Sequence, residues 1–336
     1  MSLQLSDYDY PLPEALIAKR PLLRRDDSRM MVLHRDFQTI EHRQFRDLKI
    51  LLQPGDLVVL NNTRVLAARR FSDDHAVDFL FLEKIGPARW KCLIKPGRKM
   101  RLGATAKIDN VSLRVEEILP DGERIVALDQ DVDLYARGSM PLPPYIGRES
   151  ESMDEQRYQT VFAQTPGALA APTAGLHFTA EILSEMPHAF ITLHVGPGTF
   201  RPVHSKNITE HRMHAESFSI PEDAAAKIDN AQRIVAVGTT TLRALESVAR
   251  ETRLLKAVKS NECKISPRSG ETDLFIYPPF EFQVVGALLT NFHLPRSTLL
   301  MLVSAFAGRE FLLRAYREAI RERYRFYSYG DCMLIL

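Results

Sequence analysis

The sequence predicts an α/β protein, with a main α/β domain built on a mostly parallel or mixed sheet and a small all-β barrel domain inserted into it. Three observations carry this. Short buried-strand runs at 57–60, 234–237 and 284–289 alternate with helical patterns, the mark of strands joined by crossovers. Between 70 and 140 no long helical pattern occurs, and short β-branched segments recur between turn signals. Each buried run in the main domain ends in a polar loop, where open α/β sheets place ligands.

In chain order, 12–18 (LPEALIA) reads as a short helix with proline near its first turn. Segment 29–33 (RMMVL) reads as a strand, and Phe45-Arg46-Asp47-Leu48 begins a helix. Strand 57–60 runs into Asn61-Asn62-Thr63-Arg64. In the inserted region, 76–82, 90–94, 111–115 and 124–128 read as strands, parted by turns at Gly86-Pro87, Pro96-Gly97 and Asp121-Gly122. Proline-rich 141–145 makes a stiff extended exit. Beyond it follow a helix at 181–186, a strand at 189–193, strand 234–237 with helix 242–250, and strand 284–289 with an apolar helix opened by Ser297. An amphipathic helix at 310–325 turns Leu312, Ala315, Tyr316, Ala319 and Ile320 to one face. The domains are therefore 1–69 with 141–336, and 70–140.

Composition excludes more than it assigns. Forty-four basic residues nearly balance 42 acidic ones, so the net charge of +2 announces no nucleic-acid partner and any basic surface is local. Cys92, Cys263 and Cys332 are scattered, which argues against a disulfide framework and a cysteine zinc site. The amino terminus has no apolar core flanked by positive charge, and the longest apolar run, 299–307, is too short for a bilayer. A cytoplasmic protein with no membrane partner is expected.

Chemistry concentrates between 170 and 200, in the loops Ala171–His177 (APTAGLH) and Val195–Phe200 (VGPGTF). Six of the ten histidines lie between His177 and His214. Strand ends at Asn61-Asn62-Thr63-Arg64, Gly196-Pro197-Gly198-Thr199, Gly238-Thr239-Thr240 and Asn291-Phe292-His293 would share one edge if their strands are parallel. The strand–turn–helix at 237–243 offers helix-start amides suited to a carboxylate or phosphate, although threonine capping explains it equally well. On a strand, His214 and Glu216 would project from one face as an acid/base pair. No metal-ligand spacing such as H-E-x-x-H occurs, so no metal is expected. Basic residues gather at Lys95, Arg98, Lys99 and Arg101, and at Arg314, Arg317, Arg321 and Arg325; for the helix group a solvated face is the favoured reading.

Segments spread along the chain resemble the S-adenosylmethionine:tRNA ribosyltransferase-isomerase family of queuosine biosynthesis: SDYDYPLPEALIA, GDLVVLNNTRV, MPLPPYI, RYQTVFA, GALAAPTAGLHFT, ITLHVGPGTFRPV, HRMHAES, IVAVGTTTLRALES, LLTNFHLPRSTLLMLVSAFAG and YRFYSYGD. The chain departs from the family at 72–78 (SDDHAVD), where a glycine-rich approach is usual, and at Pro279, where glycine is usual. The resemblance implies transfer and isomerisation of the ribosyl group of S-adenosylmethionine onto 7-aminomethyl-7-deazaguanine at the tRNA wobble position. The products are epoxyqueuosine in tRNA, adenine and methionine, with no cofactor because the donor is consumed.

Chemistry and loop placement, rather than the resemblance, suggest the roles. His177 or His214 would handle protons with Glu216 sharing that work, and alanine at any of the three would cut adenine release and leave the fold intact. Thr239 and Thr240 would bind the methionine carboxylate or a ribose hydroxyl, and Asn291 and His293 would position a base. Thr173, Gly196, Gly198, Thr199 and Arg243 complete the substrate contacts. Arg64, Lys95 and Arg98 would hold tRNA phosphates, and Phe178 and Phe200 could face the sulfonium, although core packing suits both better. Rival readings are a non-catalytic tRNA-binding protein and a metal-dependent hydrolase using the His177–His214 cluster. No long coiled-coil pattern occurs, which leans toward a monomer.

Overall fold

A computed structural model describes residues 3–196, 198, 203, 205–255 and 265–336. The chain divides into two compact units: Met1–Arg64, Pro143–Arg148 and Arg157–Leu336 form the first, and Val65–Leu142 with Glu149–Gln156 form the second. Residues 149–156 rejoin the second unit after the first has resumed, a return that no composition shift marks.

The chain opens with β1 (Arg29–His34) and β2 (Thr39–Gln44), a short α1 (Leu48–Leu51), β3 (Asp56–Asn61) and β4 (Thr63–Val65). The expected helix at 12–18 is only a single 3-10 turn, Glu14–Leu16, because Pro11 and Pro13 hold the preceding backbone extended. The second unit carries β5 (Arg69–Phe71), β6 (Asp78–Gly86), β7 (Arg89–Lys95), β8 (Thr105–Ile108), β9 (Val111–Ile118) and β10 (Arg124–Leu128). After α2 (Ser152–Arg157) come β11 (Thr165–Ala168), α3 (Ala180–Ser184), β12 (His188–Leu193), β13 (Glu216–Ile220) and α4 (Glu222–Asn230). The chain ends with β14 (Arg233–Val237), α5 (Thr239–Leu255), β15 (Arg268–Thr272), β16 (Val285–Asn291), α6 (Thr298–Ala307), α7 (Arg309–Arg321) and β17 (Cys332–Ile335).

Among the described residues, nine strands of the first unit form one mixed sheet in the order β15-β13-β12-β3-β14-β16-β17-β1-β2. Its centre is parallel: β12 pairs with β3, β3 with β14, and β14 with β16. Every residue of β3 is buried, which is why 57–60 is a continuous apolar run with no alternation. Val58 and Leu60 join Val235, Val237, Ala287 and Leu289 in a core on one face. On the other face α5 lies against β3, β14 and β16. Gly238 makes the β14–α5 turn at φ +87°, a left-handed conformation that glycine adopts without strain. The amphipathic helix ends at Arg321 rather than 325, and Arg323 turns the chain with φ 54° toward β17, which the sequence did not reveal.

The second unit is a six-stranded antiparallel sheet in the order β5-β6-β7-β10-β9-β8. It nearly closes on itself, since the backbone N–H of Asp73, just past β5, donates to the Lys107 carbonyl of β8 at 2.9 Å. The Asp73 carboxylate accepts from the Asp109 and Asn110 amides at 2.8 and 3.3 Å, and Arg70 pairs with Asp109. Phe79, Phe81, Trp90, Leu113, Val115 and Val126 fill its interior. The atypical stretch at 72–78 forms a bonded turn: Ser72 Oγ donates to Asp74 at 2.6 Å and accepts from the Val77 amide at 2.9 Å.

Glu246, fully buried on α5, joins that helix to the approach to β16. Its carboxylate accepts from the backbone N–H groups of Gln283, Val284 and Val285 at 2.8, 3.0 and 3.0 Å. Burial raises its pKa and the three amides pull against that rise. Glu246→Ala leaves the three donors without this acceptor and should cost about 3 kcal/mol or more in urea unfolding, with Glu246→Gln costing less. A wild-type midpoint for Glu246→Ala would show that this carboxylate contributes nothing.

Candidate active site

Because β12, β3, β14 and β16 run parallel as neighbours, their carboxyl ends lie along one edge of the sheet. The polar ends at Asn61, His194, Gly238 and Asn291 therefore share a rim. Strand β17 is antiparallel to β16 and parallel to β1, so the amino ends of β17 and β1 fall on the same edge. That brings Ser28 and the Tyr329-Gly330 turn to it.

Several rim side chains are consumed in holding it. Asn61 acts as an extra rung of the ladder: its amide donates to the Leu193 carbonyl at 2.8 Å, and its oxygen accepts from the Leu193 and Thr63 amides at 3.0 and 3.1 Å. Thr63 Oγ1 lies 2.8 Å from His194 Nδ1, and burial lowers the pKa of that half-buried ring. His293 is buried, with Nε2 2.9 Å from Thr290 Oγ1, its backbone N–H donating to the Tyr316 hydroxyl and its carbonyl accepting from Tyr10. It is not positioned as a free donor toward a ligand.

His177 sits at the end of a 3-10 segment, Thr173–His177, with both nitrogens engaged. The Asn291 amide reaches the Tyr327 carbonyl at 3.1 Å and His177 Nε2 at 3.2 Å, so Nε2 accepts. Nδ1 then carries the proton and donates to Ser28 Oγ at 2.8 Å, and Ser28 in turn donates to the Arg25 carbonyl at 3.2 Å. Burial, with the nearby charges of Arg25 and Arg325, lowers the His177 pKa to about 3. The ring is neutral and held in place, which suits an orienting group better than a proton acceptor.

The expected pairing of His214 with Glu216 on one strand face does not form. Strand β13 begins at Glu216, and His214 lies exposed in the loop before it. Glu216 is buried, accepting from the Gly196 amide at 3.0 Å and from Arg243 Nη1 at 2.5 Å. Arg243, buried too, also donates to the Leu274 carbonyl at 3.1 Å. The pair is structural, because two opposite charges removed from water hold each other and the Gly196 loop. Glu216→Ala is therefore expected to unsettle the fold, where the sequence reading expected it to stay intact. His214 closes on the same loop: a Cβ added at Gly198 would come within 2.8 Å of its ring.

Thr173 and Thr240 are half-buried and Thr239 is buried, with Thr240 Oγ1 3.4 Å from the Asn61 amide. Phe178 is wholly buried in the core against Phe45, so it does not face a ligand. Thr199 and Phe200 lie outside the described residues, as does Cys263. Arg64 is exposed in the first unit, and Lys95 and Arg98 are exposed in the second. Arg314 and Arg325 donate to the carbonyls of Gln38 and Arg20, whereas Arg317 and Arg321 lie on the expected solvated face, Arg321 paired with Glu318. Among the described residues no cluster of three or more His, Cys, Asp or Glu is placed to hold a metal ion. No helix among them is long and apolar enough to cross a membrane.

Beside His177 lies an open cleft bordered by Arg24, Arg25, Ser28, Arg157 and Tyr329. Sequence reasoning missed it, because Arg25 and Arg157 are far apart in the chain and Arg157 alone falls in a family-like segment, RYQTVFA.

Two outcomes follow. Glu216→Ala should lower stability by about 3–5 kcal/mol in urea unfolding, and Glu216→Ala with Arg243→Met should recover part of that loss; equal losses would sink the buried-pair assignment. His177 and His293 both have pKa values near 3, below the ordinary 6.5. In that window the unfolded chain binds protons that the fold does not, so stability is lost as pH falls below about 6.5, at up to about 1.4 kcal/mol per pH unit for each ring. His293→Gln should flatten the difference in unfolding midpoint between pH 7 and 5; an undiminished difference would exclude His293 as a source.

With this geometry in view, similarity to known proteins is informative. Residues 5–335 match the family described as queuosine biosynthesis protein. The chain is 47% identical to the S-adenosylmethionine:tRNA ribosyltransferase-isomerase of Thermotoga maritima, over 99% of this chain and 100% of that one. The enzyme of the same name from a Sulfurihydrogenibium species is also 47% identical, over 99% and 100%. Among solved structures, the S-adenosylmethionine tRNA ribosyltransferase of Thermotoga maritima superposes with a TM-score of 0.55 at 39% identity, covering 98% of this chain and 100% of that one. The chain belongs to the queuosine biosynthesis protein family.

Proposed function

We infer that the chain is an S-adenosylmethionine:tRNA ribosyltransferase-isomerase of queuosine biosynthesis. The observation that carries this is identity of 47% to a so-named relative over 99% of this chain and 100% of that one. The rim of β12, β3, β14 and β16 is the place for the chemistry, as α/β sheets bind ligands beyond their strands' carboxyl ends. Neither a non-catalytic tRNA-binding role nor a metal-dependent hydrolase is favoured by any relative.

The acceptor is 7-aminomethyl-7-deazaguanine at the tRNA wobble position, and the products are epoxyqueuosine in tRNA, adenine and methionine. The sulfonium of the donor acidifies its C5′ protons and leaves as a neutral thioether, so the donor brings its own activation and no cofactor is required. The protein must take a proton, assist adenine departure and orient the amine. Of the three residues considered for proton handling, His214 is exposed beside Gly198, whereas His177 and Glu216 are buried. His214 is therefore the acid/base group of this reading. Thr173 and Thr240 contact the donor, and Arg64, Lys95 and Arg98 contact tRNA phosphates. The enzyme acts as a monomer in the cytoplasm.

Chromatographic assay of adenine, with S-adenosylmethionine and tRNA carrying the precursor base, tests the reading. Adenine should form in step with modified tRNA and only when both substrates are present. Binding of tRNA without adenine would favour a non-catalytic module, and chelator-sensitive hydrolysis would favour the metal enzyme. His214→Asn should lower adenine release about 100-fold or more at an unchanged unfolding midpoint; wild-type turnover would remove His214 from the mechanism.

A further inference from the structure

We propose that the cleft beside His177 is a phosphate site for a nucleotide of the bound tRNA, with Arg25 and Arg157 holding the phosphate and Leu22 and Leu23 meeting the sugar or base. The proposal rests on the reading of this chain as a tRNA-modifying enzyme and adds a contact to the exposed Arg64, Lys95 and Arg98.

Charge comes first. Arg25 and Arg157 border one cleft and are partly withdrawn from water. Burial lowers the Arg25 pKa to about 10, and the like charge of Arg157 adds to the shift. Arg157 spends Nη1 on the Leu23 carbonyl at 2.9 Å, yet its Nε is buried with no hydrogen-bond partner. Arg24 contributes little, since both oxygens of Asp26 hold it at 3.1 and 3.0 Å. His177 is neutral and adds no charge. Arg25 gives Nη1 to the Leu176 carbonyl at 3.1 Å, so each guanidinium keeps one backbone acceptor while two like charges, partly withdrawn from water, share the cleft, a cost that an anion there would offset.

The shape narrows the choice of anion. The cleft is open to solvent rather than enclosed, unlike the pockets that bury most of a small-molecule ligand. Leu23, between the lining residues Leu22 and Arg24, is 94% exposed, and its carbonyl is fixed by Arg157. A cationic cleft with an apolar residue held out beside it matches a nucleotide, whose phosphate suits guanidinium and whose base or sugar suits leucine. The cleft also lies on the edge that carries Asn291 and His177, so a nucleotide there would be beside the rim.

Binding of tRNA measured against salt concentration tests this in the full-length protein. Loss of one phosphate contact changes the slope of log K against log[salt] by about 0.7–0.9, equivalent to about five- to eightfold in affinity at 0.1 M salt. Arg157→Ala should show that loss and that shallower slope, and should raise the KM for tRNA while leaving the KM for S-adenosylmethionine unchanged. Arg157→Lys, which keeps the charge, should retain the wild-type slope. Leu23→Ala, at an exposed position where folding is not at stake, should weaken tRNA binding with no change of slope. Wild-type affinity and slope in both Arg157→Ala and Leu23→Ala would overturn the proposal. A raised KM for S-adenosylmethionine alone would overturn it too, assigning the cleft to the methionine carboxylate. Wild-type protein that releases no adenine would instead overturn the enzymatic reading itself.

Discussion

Parallel pairing of β12, β3, β14 and β16 is the constraint on which the site depends. Strands hydrogen-bonded in one direction deliver their carboxyl ends to one edge, and a sheet buried on both faces cannot slip register without exposing its apolar side chains. The antiparallel β17 and the reversed β1 complete the edge by bringing Ser28, Tyr329 and Gly330 to it. Residues from distant parts of the chain thus become neighbours without long loops.

Burial divides the polar groups of this rim into two kinds. Asn61, His177, Glu216, Arg243 and His293 are withdrawn from water and bonded to neighbouring side chains or backbone. An unmet buried donor or acceptor costs more than most single contacts return, so such groups are occupied in holding geometry. His214, Thr173 and Thr240 are the more exposed polar residues of this region. A sulfonium donor suits that division, because it supplies its own leaving group and asks the protein mainly for orientation and proton transfer.

Much of this was legible from local pattern. The buried run at 57–60, Ser297 ahead of an apolar helix, and turns at Gly86, Pro96 and Asp121 each announce their element through side-chain periodicity or turn chemistry. Ser297 does accept from the Leu300 amide at 3.2 Å as a helix cap. Local signals failed where a partner far along the chain decided the outcome. His214 and Glu216 look like a catalytic pair at a spacing of two, yet Arg243 claims the carboxylate. His177 looks like a reactive histidine in a polar loop, yet Asn291 and Ser28 use both its nitrogens.

What the amino-acid sequence by itself determined is the class of the protein, its alternation of strands and helices, the barrel between them, and the family to which its segments belong. Those properties follow from hydrophobic period, turn residues and motif order, which act over a few residues at a time. Only the tertiary structure decided which polar residues are spent on architecture and which remain for chemistry. It also made one cleft of Arg25 and Arg157. Desolvation and charge depend on what surrounds a group in space, and chain order does not encode those neighbours.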